Sequence, residues 1–266
     1  MPEPDPDADL ALLEAAALAA GEIALGYAGR HGEVRDKPGG LGPVTEADLA
    51  VDAMLHARLI GARPGYGWLS EESEDGPERL GLSRVFIVDP IDGTRAFIAG
   101  QRAWSHSLAV AEGGRIVAAV VHLPALGKTY AAAAGGGARR NGEPIAASDR
   151  TALDGARVLA TAGQLDARFW PGGVPAVERM FRPSIAYRLC LVADGTADAM
   201  VTFRDTWEWD LAAGALIAAE AGAAISDRSG GDVAFNRPHP AVDGALVAAP
   251  AVHRALLARA RVPAGD

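Results

Sequence analysis

The chain has 266 residues, 49% hydrophobic and 22% charged, with a formal net charge of -9 at pH 7. That length and apolar content suffice for a sizeable core, as one large domain or two modest ones, and the acidic balance argues against an electrostatic nucleic-acid binder. Cys190 is the only cysteine, which excludes an intrachain disulfide and a cysteine metal cluster.

The proline-rich, acidic start has neither signal-peptide nor transit-peptide character. The apolar segment behind it is interrupted by Glu14 and Glu22, leaving it too short for a membrane span. The expectation is a cytoplasmic protein with no membrane partner. Leu10, Leu13, Ala17, Ala20, Ala24 and Tyr27 share one helical face and predict a helix over 8–29. Residues 31–44, rich in glycine and proline, read as a loop. Thr45 and Asp48 then predict a capping box opening a second helix, with Val51, Met54, Leu55 and Leu59 as its buried stripe.

A short strand over 67–70 runs into the acidic stretch Glu71-Glu72-Ser73-Glu74-Asp75. The apolar run 85–88 reads as a buried strand, ended abruptly by Asp89-Pro90 and Asp92-Gly93. Residues 95–98 form a helix or turn, 105–112 and 115–122 a hairpin around Gly113-Gly114, and 128–134 a further strand. Arg140-Asn141-Gly142-Glu143 signals a tight turn. The apolar pattern lapses over 141–154, which divides the chain into an N-terminal half, 1–145, and a C-terminal half, 146–266. Beyond the lapse, strands are predicted at 157–161, 199–203, 223–227 and 244–249, and helices at 184–193, 210–221 and 251–261.

Two carboxylates delivered by a buried strand to one loop repel; at an effective dielectric near 20, a pair about 4 Å apart does so by roughly 4 kcal/mol. A proton, an arginine or a divalent cation relieves this. The loop favours the cation: Ile91 offers a backbone carbonyl and Gly93 lets backbone approach a ligand. An all-oxygen donor set suits magnesium or manganese.

Each candidate also has a plain structural reading. Glu71 could belong to a solvated acidic loop. Asp89 and Asp92 could form an Asx turn. Thr94 could be an N-cap, and Asp48 half of a capping box. Asp210 could be a favourable acid in a helix first turn. His106, His122 and His239 have no metal-ligand spacing and read as structural or exposed.

Taken together, these segments resemble the inositol monophosphatase family of lithium-sensitive, magnesium-dependent phosphatases. The similar stretches are Val44-Thr45-Glu46-Ala47-Asp48 with Lys37 upstream, Ser70-Glu71-Glu72-Ser73, Val88-Asp89-Pro90-Ile91-Asp92-Gly93-Thr94 with Phe97, and Trp209-Asp210 through Glu220-Ala221-Gly222. The resemblance implies an α/β fold, a layered αβαβα sandwich. It implies Mg2+, two or three ions per site with Mn2+ as a substitute, held by Glu71, Asp89, the Ile91 carbonyl, Asp92 and Asp210. Glu71, Thr94 and Asp48 become the catalytic residues that orient a water. Gly93, Thr94, Ser184 and Asp210 become substrate-binding, the substrate being a small phosphomonoester, and a homodimer is expected.

Ser70 stands where the family has glycine, and Arg182-Pro183-Ser184 where inositol enzymes have a glycine-threonine pair. Glu208-Trp209-Asp210 and Arg95-Ala96-Phe97-Ile98 look more like relatives acting on adenosine bisphosphates or histidinol phosphate. Two other classes stay open: a metal-free glycosidase with a carboxylate pair about 5–9 Å apart, and a non-catalytic phosphate-binding protein.

Overall fold

An apolar run with no polar alternation needs cover on both of its faces. In the computed structural model, which describes residues 5–29, 33–37 and 42–260, the run 85–88 receives it. The N-terminal half runs α1 (Pro6–Tyr27), β1 (Val34–Asp36), β2 (Pro43–Thr45), α2 (Glu46–Ala62), β3 (Gly67–Ser70), β4 (Arg84–Asp92) and α3 (Thr94–Ile98). It continues with β5 (Ser105–Glu112), β6 (Arg115–Leu123), β7 (Lys128–Ala133), β8 (Ala138–Arg140) and β9 (Glu143–Pro144). The C-terminal half runs β10 (Arg157–Leu159), β11 (Glu178–Met180), α4 (Ile185–Ala193), β12 (Ala199–Thr202), β13 (Thr206–Trp207) and α5 (Glu208–Glu220). It ends with β14 (Ala224–Ser226), β15 (Ala241–Val242), β16 (Ala245–Ala248) and α6 (Pro250–Ala260).

Strands β3 to β9 form a seven-stranded sheet in sequence order, with β3 parallel to β4 and the rest antiparallel. A second sheet has the order β11-β10-β12-β16-β14. Helices α1 and α2 cover one face of the first sheet, α4 and α5 lie between the two sheets, and α6 packs on the far side of the second. This is the αβαβα sandwich that the resemblance implies.

The alternation along β4 sets up the site. Phe86 and Val88 enter the core shared with α1 and α2, while Val85 and Ile87 enter the core shared with α4 and α5. Both faces are buried, so the strand reads as a continuous apolar run rather than an alternating one.

The predicted helix faces and the central hairpin are present. The predicted loop 31–44 holds the ribbon of β1 and β2 among its described residues, while 31–32 and 38–41 lie outside them. Strands β11, β13 and β15 have no counterpart in the sequence pattern; Glu178-Arg179-Met180 is an edge with little buried surface and no apolar signal. Among the described residues, no helix is long and apolar enough to cross a membrane.

Candidate active site

Asp89 and Asp92 are three residues apart, so a regular strand would send them to opposite faces. The β4–β5 register shifts between them: Asp89 stands opposite Ser107 and Asp92 opposite Ser105. His106 alone therefore faces both Pro90 and Ile91, a two-against-one β-bulge. The extra residue directs Ile91 into the α1–α2 core and returns Asp92 to the side of α4, where Asp89 already points towards α5. Gly93 follows at φ 101°, a left-handed conformation that favours glycine, and acts as N-cap of α3. Thr94 is thus the first residue of α3 and not its cap, because the chain is already turning at Gly93.

Asp210 arrives in the first turn of α5, where the residue before it is fixed by a hydrogen bond from Ser107 Oγ to the Trp209 carbonyl at 2.8 Å. Ligand atoms of Asp89, Asp92 and Asp210 all lie within 4.8 Å of one another. Asp89 is 1% exposed, and neither of its carboxylate oxygens has a hydrogen-bond partner. Burial, followed by the charges of Glu71, Asp92 and Asp210, holds Asp89 well above the usual carboxylate range. Burial, with Asp92 and Glu71 next, moves Asp210 the same way. Asp92 is pushed up to about 6 by burial, against the hydrogen bonds from Ser184 and Ala186 that favour its charge. An unbonded buried carboxylate among like charges is costly. A hard cation with oxygen ligands fits this donor set.

Glu71 follows β3 and lies on the wall of the same cavity as Asp89, Asp92 and Asp210. It stands outside the tight triad; its Oε1 accepts from Lys37 Nζ at 2.7 Å, and Lys37 also donates to Glu72 at 2.6 Å. The segment carrying Glu71 is held from α2 by Asp52, which the sequence reading does not single out. Ser70 Oγ and Ser73 Oγ donate to its two oxygens at 2.5 and 2.7 Å. The available signal was spacing: Asp52 follows Asp48 by four residues, on the same helix face.

Asp48 closes the expected capping box with one oxygen and contacts Thr94 with the other. Its Oδ2 accepts from the backbone and hydroxyl of Thr45, closing the capping box of α2. Its Oδ1 lies 3.2 Å from Thr94 Oγ1, which also sits 3.1 Å from the Ile91 carbonyl. The hydroxyl has one proton for these two acceptors; given to either, it leaves the oxygen's lone pairs able to accept from a water.

Glu71, Asp89, Asp92, Asp210, Gly93 and Thr94 line a cavity of about 590 Å³ whose wall also carries Thr161, Phe181, Arg188, Thr202 and Arg204. Ser184 does not reach this wall. It is fully buried, caps α4 through the Tyr187 amide, and donates to Asp92 Oδ2 at 2.7 Å; Ser105 in turn lies 3.0 Å from it. Arg188 is a further site residue that the sequence reading does not identify. It is 6% exposed, stacks 4.7 Å from the Phe181 ring and donates only to the carbonyls of Arg182 and Pro183. Among the described residues no carboxylate forms a salt bridge with it, although Asp92 and Asp210 lie near enough to act on its charge.

The inositol monophosphatase family model matches residues 5–265. An inositol-1-monophosphatase of Rhizobium meliloti is 36% identical over 198 residues, covering 71% of this chain and 73% of its own. A 3'-phosphoadenosine 5'-phosphate phosphatase of Mycobacterium leprae is 34% identical, covering 87% and 86% of the two chains. The solved structure of an IMPase from Thermotoga maritima superposes with a TM-score of 0.79 at 28% identity, covering 96% of each chain. On the length of these matches, the chain belongs to the inositol monophosphatase family.

Proposed function

We propose that this protein is a Mg2+-dependent phosphomonoesterase acting on a small phosphorylated alcohol. The observation that carries the proposal is the buried triad of Asp89, Asp92 and Asp210, drawn from both halves of the chain, with Asp89 lacking any hydrogen bond. In this reading Glu71, Asp89, the Ile91 carbonyl, Asp92 and Asp210 hold the cations, with Mn2+ able to replace Mg2+. When bound, such cations neutralise the phosphate charge and acidify water. The Thr94 hydroxyl, held by Asp48, accepts a hydrogen bond from the attacking water and aims it, with Glu71 on its other side. The Gly93 and Thr94 amides face the phosphate oxygens. A homodimer belongs to the same reading, and sedimentation would test it.

Three acids within 4.8 Å form a tighter group than the glycosidase pair, whose members stand about 5–9 Å apart. Release of inorganic phosphate from a panel of monoesters with Mg2+, and its loss with chelator, tests the activity. Turnover insensitive to chelation, or none across the panel, would remove the reading.

Arg188 favours one branch of substrates. A buried guanidinium without a carboxylate partner among the described residues, backed by Phe181 and lining the same cavity as exposed Arg204, suits a substrate with a second anionic group. The discriminating measurement is kcat/KM for adenosine 3',5'-bisphosphate against inositol monophosphate and histidinol phosphate. Preference for the bisphosphate by tenfold, about 1.4 kcal/mol of differential transition-state binding, supports this branch. Equal turnover of all three rejects it while leaving the phosphatase reading intact.

A further inference from the structure

The two acids of β4 share one side of the sheet only because of the bulge at Pro90 and Ile91, and the side chain opposite that bulge is His106. Alternate residues of β5 divide between the two faces. Ser105 and Ser107 point to the site, where they reach Ser184 and the Trp209 carbonyl. His106 points the other way, into the core with α1 and α2, beside Trp104 at 5.5 Å and stacked 6.1 Å from His122.

From behind the sheet, His106 Nδ1 is hydrogen-bonded to the Pro90 carbonyl. A carbonyl only accepts, so Nδ1 carries the proton and donates it. The bulge interrupts the ladder at this point, and the imidazole supplies the Pro90 carbonyl with a donor. The next carbonyl along, that of Ile91, lies 3.1 Å from Thr94 Oγ1, so the Pro90 contact is one peptide away from a candidate ligand atom.

His122, its stacking partner, sits where a Cβ on Gly21 of α1 would lie 2.8 Å from its Nε2, so a side chain at position 21 would displace that ring. His122 is itself fixed by Thr129 Oγ1 at 2.8 Å. His106 is 0% exposed, and its Nε2 has no hydrogen-bond partner. A fully buried polar ring with one nitrogen unmatched is a poor choice for packing alone.

We infer that His106 is a positioning residue for the metal loop: by holding the Pro90 carbonyl behind the sheet, it fixes the bulge that aligns Asp89, the Ile91 carbonyl and Asp92 as one ligand set. The inference rests on the reading that this set binds a divalent cation. It assigns His106 no contact with cation or substrate.

The test is calorimetric titration of Mg2+ into metal-free protein, so that the readout does not depend on turnover. His106→Phe keeps a ring but loses the donor; His106→Asn keeps a donor near the place of Nδ1. Phe should weaken Mg2+ binding by about tenfold or more, as removal of groups that orient metal ligands does. Asn should recover most of that loss despite its smaller volume, and the KM for substrate at saturating Mg2+ should change little in either. Phe binding Mg2+ like wild type, or Asn binding as weakly as Phe, overturns the inference. Wild-type protein that binds no Mg2+ would instead remove the premise.

Should the Phe variant not fold, wild-type protein with 15N-labelled histidines decides the matter. The His106 Nδ1–H resonance should be protected from exchange and should move on saturation with Mg2+. A resonance that Mg2+ leaves in place contradicts a positioning role.

Discussion

Ser184 Oγ donates to Asp92 Oδ2 at 2.7 Å, so the first cap of α4 in the C-terminal half holds a carboxylate from the end of β4 in the N-terminal half. The same oxygen accepts from the Ala186 amide at 2.7 Å. One oxygen of Asp92 is thereby tied to the helix, leaving the other for a ligand. Ser184→Ala should lower stability by about 1–2 kcal/mol, since it removes both an N-cap and a charge-assisted bond. It should also raise the Mg2+ concentration needed for half activation. Denaturant unfolding and a Mg2+ activation curve measure the two effects; an unchanged activation curve would restrict Ser184 to capping.

Asp89→Asn and Asp210→Asn should abolish phosphate release while leaving the fold intact. In chelator at pH 8, each should melt at or above the wild-type temperature, because each relieves like-charge crowding that costs on the order of 1 kcal/mol or more. Variants that unfold, or that retain near-normal activity with Mg2+, would refute the assigned roles.

The pH dependence has a definite sign. Asp92 is raised to about 6, above its unfolded value of about 3.9. It therefore binds more protons folded than unfolded, and its stabilising contribution is lost as pH rises from about 4 through about 6. Asp89 and Asp210 shift in the same direction. His106, His122 and His253 shift the opposite way, each lowered by burial, so the informative quantity is the difference made by Mg2+. Cations bind the ionised acids, so the Mg2+-induced rise in Tm should grow from pH 5 to pH 8. A rise that is constant or shrinks over that range would contradict it.

Thr94→Val keeps shape and removes only the hydroxyl that faces Asp48 Oδ1 and the Ile91 carbonyl. It should reduce kcat by about 10²-fold or more with little change in KM, in line with the loss of a positioned proton acceptor. Single-turnover kinetics would separate this from slow product release.

Much of this site was legible in the chain because its acids sit at places where the sequence changes character abruptly. An apolar run buried on both faces ends at Asp89, and a capping-box pattern marks Asp48. What the sequence conceals is mostly tertiary. Nothing local shows that an extra residue at Pro90-Ile91 reverses the side on which Asp92 points, or that Ser184 reaches Asp92 from 92 residues away. The short strand β11 was hidden because its Glu178-Arg179-Met180 carries no apolar alternation. Arg188 is hidden for the reverse reason: it lies within an apolar helix, where only the fold reveals that its guanidinium opens onto a cavity.

Ser70 offers a test of how the end of β3 is held. Its hydroxyl donates to buried Asp52 at 2.5 Å, helping to fix the end of β3 that presents Glu71. Ser70→Gly should therefore cost roughly 1–3 kcal/mol, the cost of stripping a partner from a buried carboxylate, and should lower activity rather than leave it neutral. Chemical unfolding with a phosphate-release assay on the same sample would show it.

The account depends most on a divalent cation shared by acids from both halves of the chain. Crystals grown with Mn2+ and measured near its absorption edge would locate that cation directly. The expected result is an anomalous peak bound jointly by Asp89, Asp92 and Asp210. A map with no peak in this cavity at saturating Mn2+, or with Asp210 turned away from the one that is there, would contradict it.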